Sequence, residues 1–124
     1  MQAPLDLAAY SLALAERHGI ARAWEQFQAE RPLLVGPVCT EQAFAVGRDV
    51  SNQEAIGPLV DSMRLTVAGN LLGWPSVALP VGVRNGLPQG VQVIGPRYRE
   101  DLCLDAAEAI EARLGVLTPI DPVS

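Results

Sequence analysis

The sequence has 124 residues, of which 49% are hydrophobic and 19% are charged, a balance typical of a folded domain and unlike that of a disordered chain. Its net charge of −5 comes from fourteen acidic residues against nine scattered arginines, which excludes the basic patch that binding to nucleic acid or to an anionic membrane requires. No apolar run reaches the length of a membrane span. We therefore predict a cytoplasmic protein that forms a single unit over 1–124.

The first 31 residues are predicted to be helical. Apolar residues recur every three or four positions from Leu5 to Arg17, which is typical of an amphipathic helix. Gly19 is expected to end or interrupt this helix, and a second helix is predicted over 20–29. His18, the only histidine, would then lie at a helix end, where it can bond the last carbonyl groups. We interpret it as a capping residue and not as part of a Ser-His-Asp triad.

A short apolar run bounded by prolines, PLLVGPV, predicts a buried strand over 32–38. The polar segment 39–53 follows this strand and predicts the longest loop of the chain. Ligand crevices in open α/β sheets form beyond the ends of strands. Cys39 and Thr40 are therefore candidate substrate-pocket residues, although a plain loop start is the simpler interpretation.

The next predicted elements are a helix and a hairpin. Apolar residues at helical spacing indicate a helix over 54–73, with Pro58 suited to its first turn. Two apolar runs within 75–95 are separated by Asn85-Gly86. This dipeptide predicts a tight turn between antiparallel strands, because both of its residues tolerate positive φ.

The segment 100–114 has the clearest helical pattern, since its apolar residues form one stripe and its acidic residues lie largely off that stripe. Two acids in the first turn interact favourably with the helix dipole, and Gly115 is suited to end the helix. The proline-containing remainder, 115–124, is predicted to be irregular.

The two cysteines, Cys39 and Cys103, lie far apart and form no CxxC pair. This spacing indicates neither a zinc site nor a disulfide framework. Cys103 falls on the apolar stripe of the last helix, so we interpret it as a packing residue. No metal ion and no cofactor is predicted.

Two long segments, NLLGWPSVALPVGV and NGLPQGVQVIGPRYREDLCLDAAEAIE, dominate the second half of the sequence. Both resemble the C-terminal section of the amidase-signature family, and the segment around RPLLVGPV is also similar to bacterial members of that family. Together with the predicted elements, the resemblance gives the fold class as α/β. We expect a small mixed sheet of about three strands flanked by about four helices, as part of a larger amidase-type α/β/α fold.

Glycine, proline and asparagine recur at fixed places in the two segments. Their ability to end helices, form tight turns and allow close backbone approach explains the pattern without any chemical role. We therefore interpret one set of residues as a structural motif: Asn70, Gly73, Pro75, Asn85, Gly86, Gly90, Gln92 and Gly95.

Members of the resembled family hydrolyse or transfer carboxamide groups with a serine nucleophile, a second serine and a lysine base. Serine is a poor nucleophile until a base takes its proton. This sequence has no lysine, its serines are isolated, and it has no Gly/Ser-rich segment that could supply an oxyanion hole. No catalytic residue is therefore predicted in this chain.

The resemblance implies a C-terminal fragment of an amide hydrolase that converts a carboxamide into a carboxylate and ammonia or an amine. The fragment alone is expected to be inactive. Its expected partner is the missing N-terminal catalytic part or, if the chain is alone, further copies of itself, because uncovered sheet edges and apolar patches tend to associate. The alternative is a stand-alone, non-catalytic α/β module that self-associates or binds a protein partner. Neither hypothesis involves nucleic acid or a membrane.

Overall fold

The computed structural model describes residues 6–51 and 53–115. Five helices and three strands in this part confirm the predicted α/β class. The chain divides into two compact units, of which the first ends at Pro32 and the second begins at Leu33. The expectation of a single unit stays a prediction, and the irregular tail predicted after Gly115 lies outside the described residues. The elements are α1 Leu7–Glu30, β1 Leu34–Pro37, α2 Arg48–Ser51, α3 Gln53–Ser62, α4 Arg64–Leu72, β2 Ser76–Arg84, β3 Leu87–Ile94 and α5 Glu100–Leu114.

Helix α1 forms the first unit and runs without a break through Gly19. The prediction of two helices separated at this glycine is wrong. A glycine inside a helix costs only about 1 kcal/mol relative to alanine, which the surrounding turns tolerate. The interpretation of His18 as a capping residue is also wrong, because His18 lies within the helix. The helix begins instead at a conventional cap, where Asp6 accepts a 2.7 Å hydrogen bond from the backbone N–H of Ala9.

The helix predicted over 54–73 is interrupted. Helices α3 and α4 are separated at Met63, and Pro58 lies inside α3 instead of in its first turn. At the break, the backbone oxygen of Ser62 accepts a 2.9 Å hydrogen bond from the backbone N–H of Thr40. A contact from the distant loop therefore engages this carbonyl at the helix end, and sequence periodicity carries no record of such a contact.

The sheet has the strand order β1-β3-β2, and both strand pairs are antiparallel instead of mixed. The predicted turn between β2 and β3 is present, with φ of 54° at Asn85 and 74° at Gly86. A register shift between Pro80 and Gly82 marks a bulge in β2. Since β2 is an edge strand of the described sheet, Pro80 needs no ladder donor on its outer side.

The core of the second unit lies between α5 and the sheet. Leu79, Val93 and Ala107 form its buried centre, and Val93 has no exposed surface. Gly95 allows the closest approach, because a Cβ at this position would lie 2.6 Å from the Cys103 sulfur. Partly buried side chains complete the cluster: Leu33, Val77, Val91, Ala106 and Ile110.

Strand β1 is less covered than its sequence suggests. Its burial alternates along the strand, and the Val35 side chain is 56% exposed. The expectation of a strand buried on both faces is therefore wrong for the described residues. One face packs in the unit, where a Cβ at Gly36 would lie 2.6 Å from a methyl group of Leu65.

Across the described residues, every helix is too short or too polar to cross a membrane.

Candidate functional site

A polar cleft of about 500 Å³ opens in the second unit, where the chain leaves β1 and passes the β2–β3 turn. Both walls belong to backbone that the sheet holds in place. The residues that line the cleft come from the segment after β1 and from the hairpin: Pro37, Cys39, Thr40, Glu41, Gln42, Arg84, Asn85 and Gln89.

The two residues predicted to line a substrate pocket, Cys39 and Thr40, both lie in this cleft. Each is held by Ser62 at the end of α3. The Cys39 sulfur lies 3.2 Å from the Ser62 hydroxyl oxygen, while the Thr40 backbone N–H and hydroxyl donate to the Ser62 backbone oxygen at 2.9 and 3.3 Å. These bonds fix the path of the loop directly after the strand.

Gln42 joins the loop wall to the hairpin wall. Its side-chain amide donates a 3.0 Å hydrogen bond to the backbone oxygen of Arg84. The side-chain amide of Asn85 in turn donates to the Gln42 side-chain oxygen at 3.5 Å, the limit of hydrogen-bond length. The two walls are distant in sequence and are cross-linked by one glutamine side chain.

A buried polar network lies behind the cleft, between β1, β3 and α4. Gln92, whose side chain is buried, donates to the backbone oxygen of Pro37 at 2.9 Å and to the Thr66 hydroxyl at 3.2 Å. The Thr66 hydroxyl donates to the backbone oxygen of Val38 at 3.0 Å. Since buried polar groups must be bonded, this network fixes where β1 ends and the loop begins.

The charges at the cleft are one acid and one base. Glu41 forms a 2.7 Å ion pair with Arg48. Arg84 makes no ion pair with any described residue. The cleft therefore presents amide and hydroxyl groups together with one guanidinium group that no carboxylate compensates.

The residues of the predicted structural motif occupy several places, and only some approach the cleft. Asn85 lines it, and Gln92 supports its rear wall. Asn70 borders a separate cavity of about 30 Å³ that Gln92 also lines. Gly73 ends α4 with φ of 71°, the left-handed conformation that a helix C-terminus favours.

Pro75, Gly90 and Gly95 act away from the cleft. The backbone oxygen of Pro75 accepts a 3.0 Å hydrogen bond from the Gly95 N–H. Gly90 lies opposite Pro80 in the sheet, and a Cβ there would meet the Leu79 backbone oxygen at 3.2 Å. These contacts are packing contacts.

The cleft is suited to binding more than to bond cleavage. Ser62 donates its hydroxyl hydrogen to the Leu59 backbone oxygen at 2.7 Å, and its other described neighbour is the Cys39 thiol, so no described base activates it. No group of three or more His, Cys, Asp or Glu side chains that could hold a metal ion occurs within 6–51 and 53–115.

Comparison with known proteins gives the family. The family model described as Amidase matches residues 1–104. The chain belongs to the amidase family. An amidase relative, the indoleacetamide hydrolase of Bradyrhizobium japonicum, is 41% identical over 114 residues, which are 91% of this chain and 24% of that protein.

Solved amidase-family structures have the same fold. One chain of the glutamyl-tRNA(Gln) amidotransferase from Thermotoga maritima aligns with a TM-score of 0.74 and 27% identity, over 87% of this chain and 23% of that one. A 6-aminohexanoate cyclic dimer hydrolase complexed with substrate aligns with a TM-score of 0.71 and 28% identity, over 90% of this chain and 25% of that one. The chain thus spans about a quarter of the length of these amidases.

Sequence reasoning did not identify Gln42, Ser62, Thr66 and Arg84 as parts of the amidase cleft. The bonds of Gln42, Ser62 and Thr66 join positions more than twenty residues apart. Arg84 offered one signal, since it directly precedes the predicted Asn85-Gly86 turn and a hairpin turn next to a loop can form a wall.

Proposed function

We propose that this chain is the C-terminal part of an amide hydrolase and forms one wall of its substrate cleft. The observation that carries the proposal is the cleft at the end of β1, which contains Cys39 and Thr40 and is lined by amide and hydroxyl groups. Small-molecule sites are concave and contain a few fixed polar groups. The hydrogen bonds of Thr40 and Gln42 fix such groups here.

The chemical step belongs to the rest of the enzyme. The reaction is hydrolysis of a carboxamide to a carboxylate and ammonia or an amine. It needs an activated serine and preorganised donors for the oxyanion, and the absence of lysine from this chain is consistent with a catalytic core located elsewhere. The similarity to an indoleacetamide hydrolase supports amide hydrolysis as the reaction class.

Purified alone, the chain should hydrolyse no carboxamide above the rate in buffer, and a fluorophosphonate that labels activated serines should leave it unmodified. Mass spectrometry of the intact chain measures the labelling. Stoichiometric modification of any one serine would contradict the proposal. Sequencing the coding region on the 5′ side gives an independent check, because an in-frame serine-serine-lysine core there supports the assignment as a fragment.

A chimaera tests the pocket wall directly. In the Bradyrhizobium japonicum hydrolase, this chain would replace the 114 matching residues. We expect a folded enzyme that hydrolyses indole-3-acetamide. Thr40→Trp should then lower kcat/KM at least about tenfold by filling the cleft, while Ala109→Trp on the exposed side of α5 should have no effect. A folded, active chimaera in which Thr40→Trp leaves kcat/KM unchanged would remove Thr40 from the substrate pocket.

One observation favours the alternative of a self-associating module. Large apolar side chains are exposed on the loop after β1 and on the helices that follow it, and such surfaces commonly mark interaction sites. We therefore propose that the chain forms a homo-oligomer when it is alone. Sedimentation at micromolar concentration measures this, and a monomer that binds no hydrophobic dye would contradict it. The exposed side chains are Val46, Val50, Ile56, Val60, Val67 and Leu71.

A further inference from the structure

Arg84 is the feature of the cleft that amide hydrolysis by itself does not explain. The residue lines the cleft and forms no ion pair within the part of the chain that the structure describes. A guanidinium group presents N–H donors in a planar fork whose geometry matches that of a carboxylate. An uncompensated arginine in a concave polar surface is therefore suited to recognise an anion.

The acidic residue of the cleft does not cancel this charge. Glu41 is bonded to Arg48 at 2.7 Å, and both side chains of the pair are partly exposed. The pair is neutral as a unit, so an anion that approaches Arg84 meets little net repulsion from Glu41. Arg48 thus acts on the electrostatic potential of the cleft without being one of its lining residues.

The backbone that carries Arg84 is fixed before any ligand arrives. Arg84 is the last residue of β2 and pairs with Leu87 across the two-residue turn. Its backbone oxygen also accepts the 3.0 Å hydrogen bond from Gln42. A preorganised donor loses less conformational entropy when it binds a ligand than a donor on a mobile loop does.

We propose that the cleft binds a small carboxylate-bearing molecule and that Arg84 recognises its carboxylate group. The neutral polar residues Thr40, Asn85 and Gln89 line the remaining surface and suit a polar ligand body. For an amidase this makes the substrate an amide that carries a carboxylate remote from the scissile bond. That assignment of the substrate rests on the proposed function, whereas the carboxylate site in this chain does not.

The test compares N-acetylglycine with N-acetylglycinamide, which differ in charge at one end. Each is titrated into the 124-residue chain at low salt, and backbone amide shifts are followed by NMR. We expect the acid to bind at least about tenfold more tightly than the amide, with shifts centred on 39–42 and 84–89 and an affinity that falls as salt is added. Equal affinity for the two probes, or shifts centred elsewhere, would overturn the proposal.

Two variants and a control locate the effect. Arg84→Gln should abolish the preference for the acid, while Arg113→Gln, an exposed arginine in the last turn of α5, should retain it. Arg48→Gln leaves Glu41 unpaired and should weaken binding of the acid several-fold without changing binding of the amide. If Arg84→Gln keeps the parent preference, the carboxylate site is wrong. Failure of the chimaera alongside intact binding would count against the amide hydrolase and not against this site.

Discussion

The α5 face of the sheet and the cleft beside β1 are held together by different kinds of interaction. On the α5 face, Leu79 and Val93 pack against Ala107, and apolar contact supplies the stability. At the cleft, the side chains of Gln42 and Gln92 bond backbone oxygens of distant segments. The first arrangement depends on volume and burial, while the second depends on the direction of single hydrogen bonds.

This difference separates stability from positioning. Apolar contacts are non-directional and roughly proportional to the buried area, so the α5 face can hold the sheet together without setting the course of a loop. A hydrogen bond contributes only about 1 kcal/mol net but fixes two groups within a narrow range of distance and angle. We therefore expect large stability effects on the α5 face and small, local effects at the cleft.

The largest effect should come from the α5 face. Leu79→Ala should lower the free energy of unfolding by roughly 2–5 kcal/mol, because it removes buried methyl groups and leaves a cavity beside Val93. Leu104→Ala is the matched control, since Leu104 is 60% exposed on the same unit, and it should change stability by less than about 0.5 kcal/mol. Urea denaturation measures both, and equal costs would show that this face is not the main core.

The hairpin turn between the two regions comes next. Gly86→Val should cost roughly 1–3 kcal/mol, because a β-branched residue resists the φ of 74° that Gly86 adopts. Gly86→Asn should cost less, since asparagine tolerates this conformation. Thermal melts compare the two, and a Gly86→Val variant that melts with the parent would show that the turn adopts another form.

A smaller effect is expected for the network behind the cleft. Gln92→Ala should cost about 1–2 kcal/mol, because the backbone oxygen of Pro37 and the Thr66 hydroxyl lose a buried partner. Gln89→Ala, on the same strand, removes only a bond to the adjacent Pro88 carbonyl and should be near neutral. Hydrogen exchange should also become faster at 38–42 in the first variant. Equal protection in both variants would contradict the role of Gln92 in positioning the loop.

The smallest effect is a pH dependence on the α5 face. Burial raises the pKa of the Cys103 thiol, whereas in the unfolded chain the thiol ionises near about 8.5. The free energy of unfolding is therefore unaffected by this group below that pH, and it falls as the pH rises toward the raised pKa of the folded state. Between pH 7 and about 9.5 the parent should lose more stability than Cys103→Ala. Parallel pH profiles would show that this thiol does not titrate on unfolding.

The sequence predicts those parts of the fold whose causes are local. The turn at Asn85-Gly86 follows from two adjacent residues that tolerate positive φ, and the last helix follows from its own apolar stripe. The continuity of α1 through Gly19 was not predicted, because a single glycine lowers helix stability without stopping a helix that neighbouring turns support.

The candidate site was predicted only in part, for the same reason. Cys39 and Thr40 were expected near a pocket because they follow a strand, and they line the cleft. The opposite wall depends on Gln42 reaching the backbone of Arg84, a contact between two segments whose proximity is created only by the folded sheet. The break between α3 and α4 has the same origin in the long-range bonds of Ser62.

The strand order β1-β3-β2 has a consequence for the time course of folding. Arg84 pairs with Leu87 across a tight turn, whereas Leu34 must find Ile94 near the other end of the second unit. Closing a long loop loses more chain entropy than closing a short one, and contacts between distant positions slow folding. We expect the hairpin to form first and β1 to join last, so the cleft beside β1 would be among the latest features to appear on a nascent molecule.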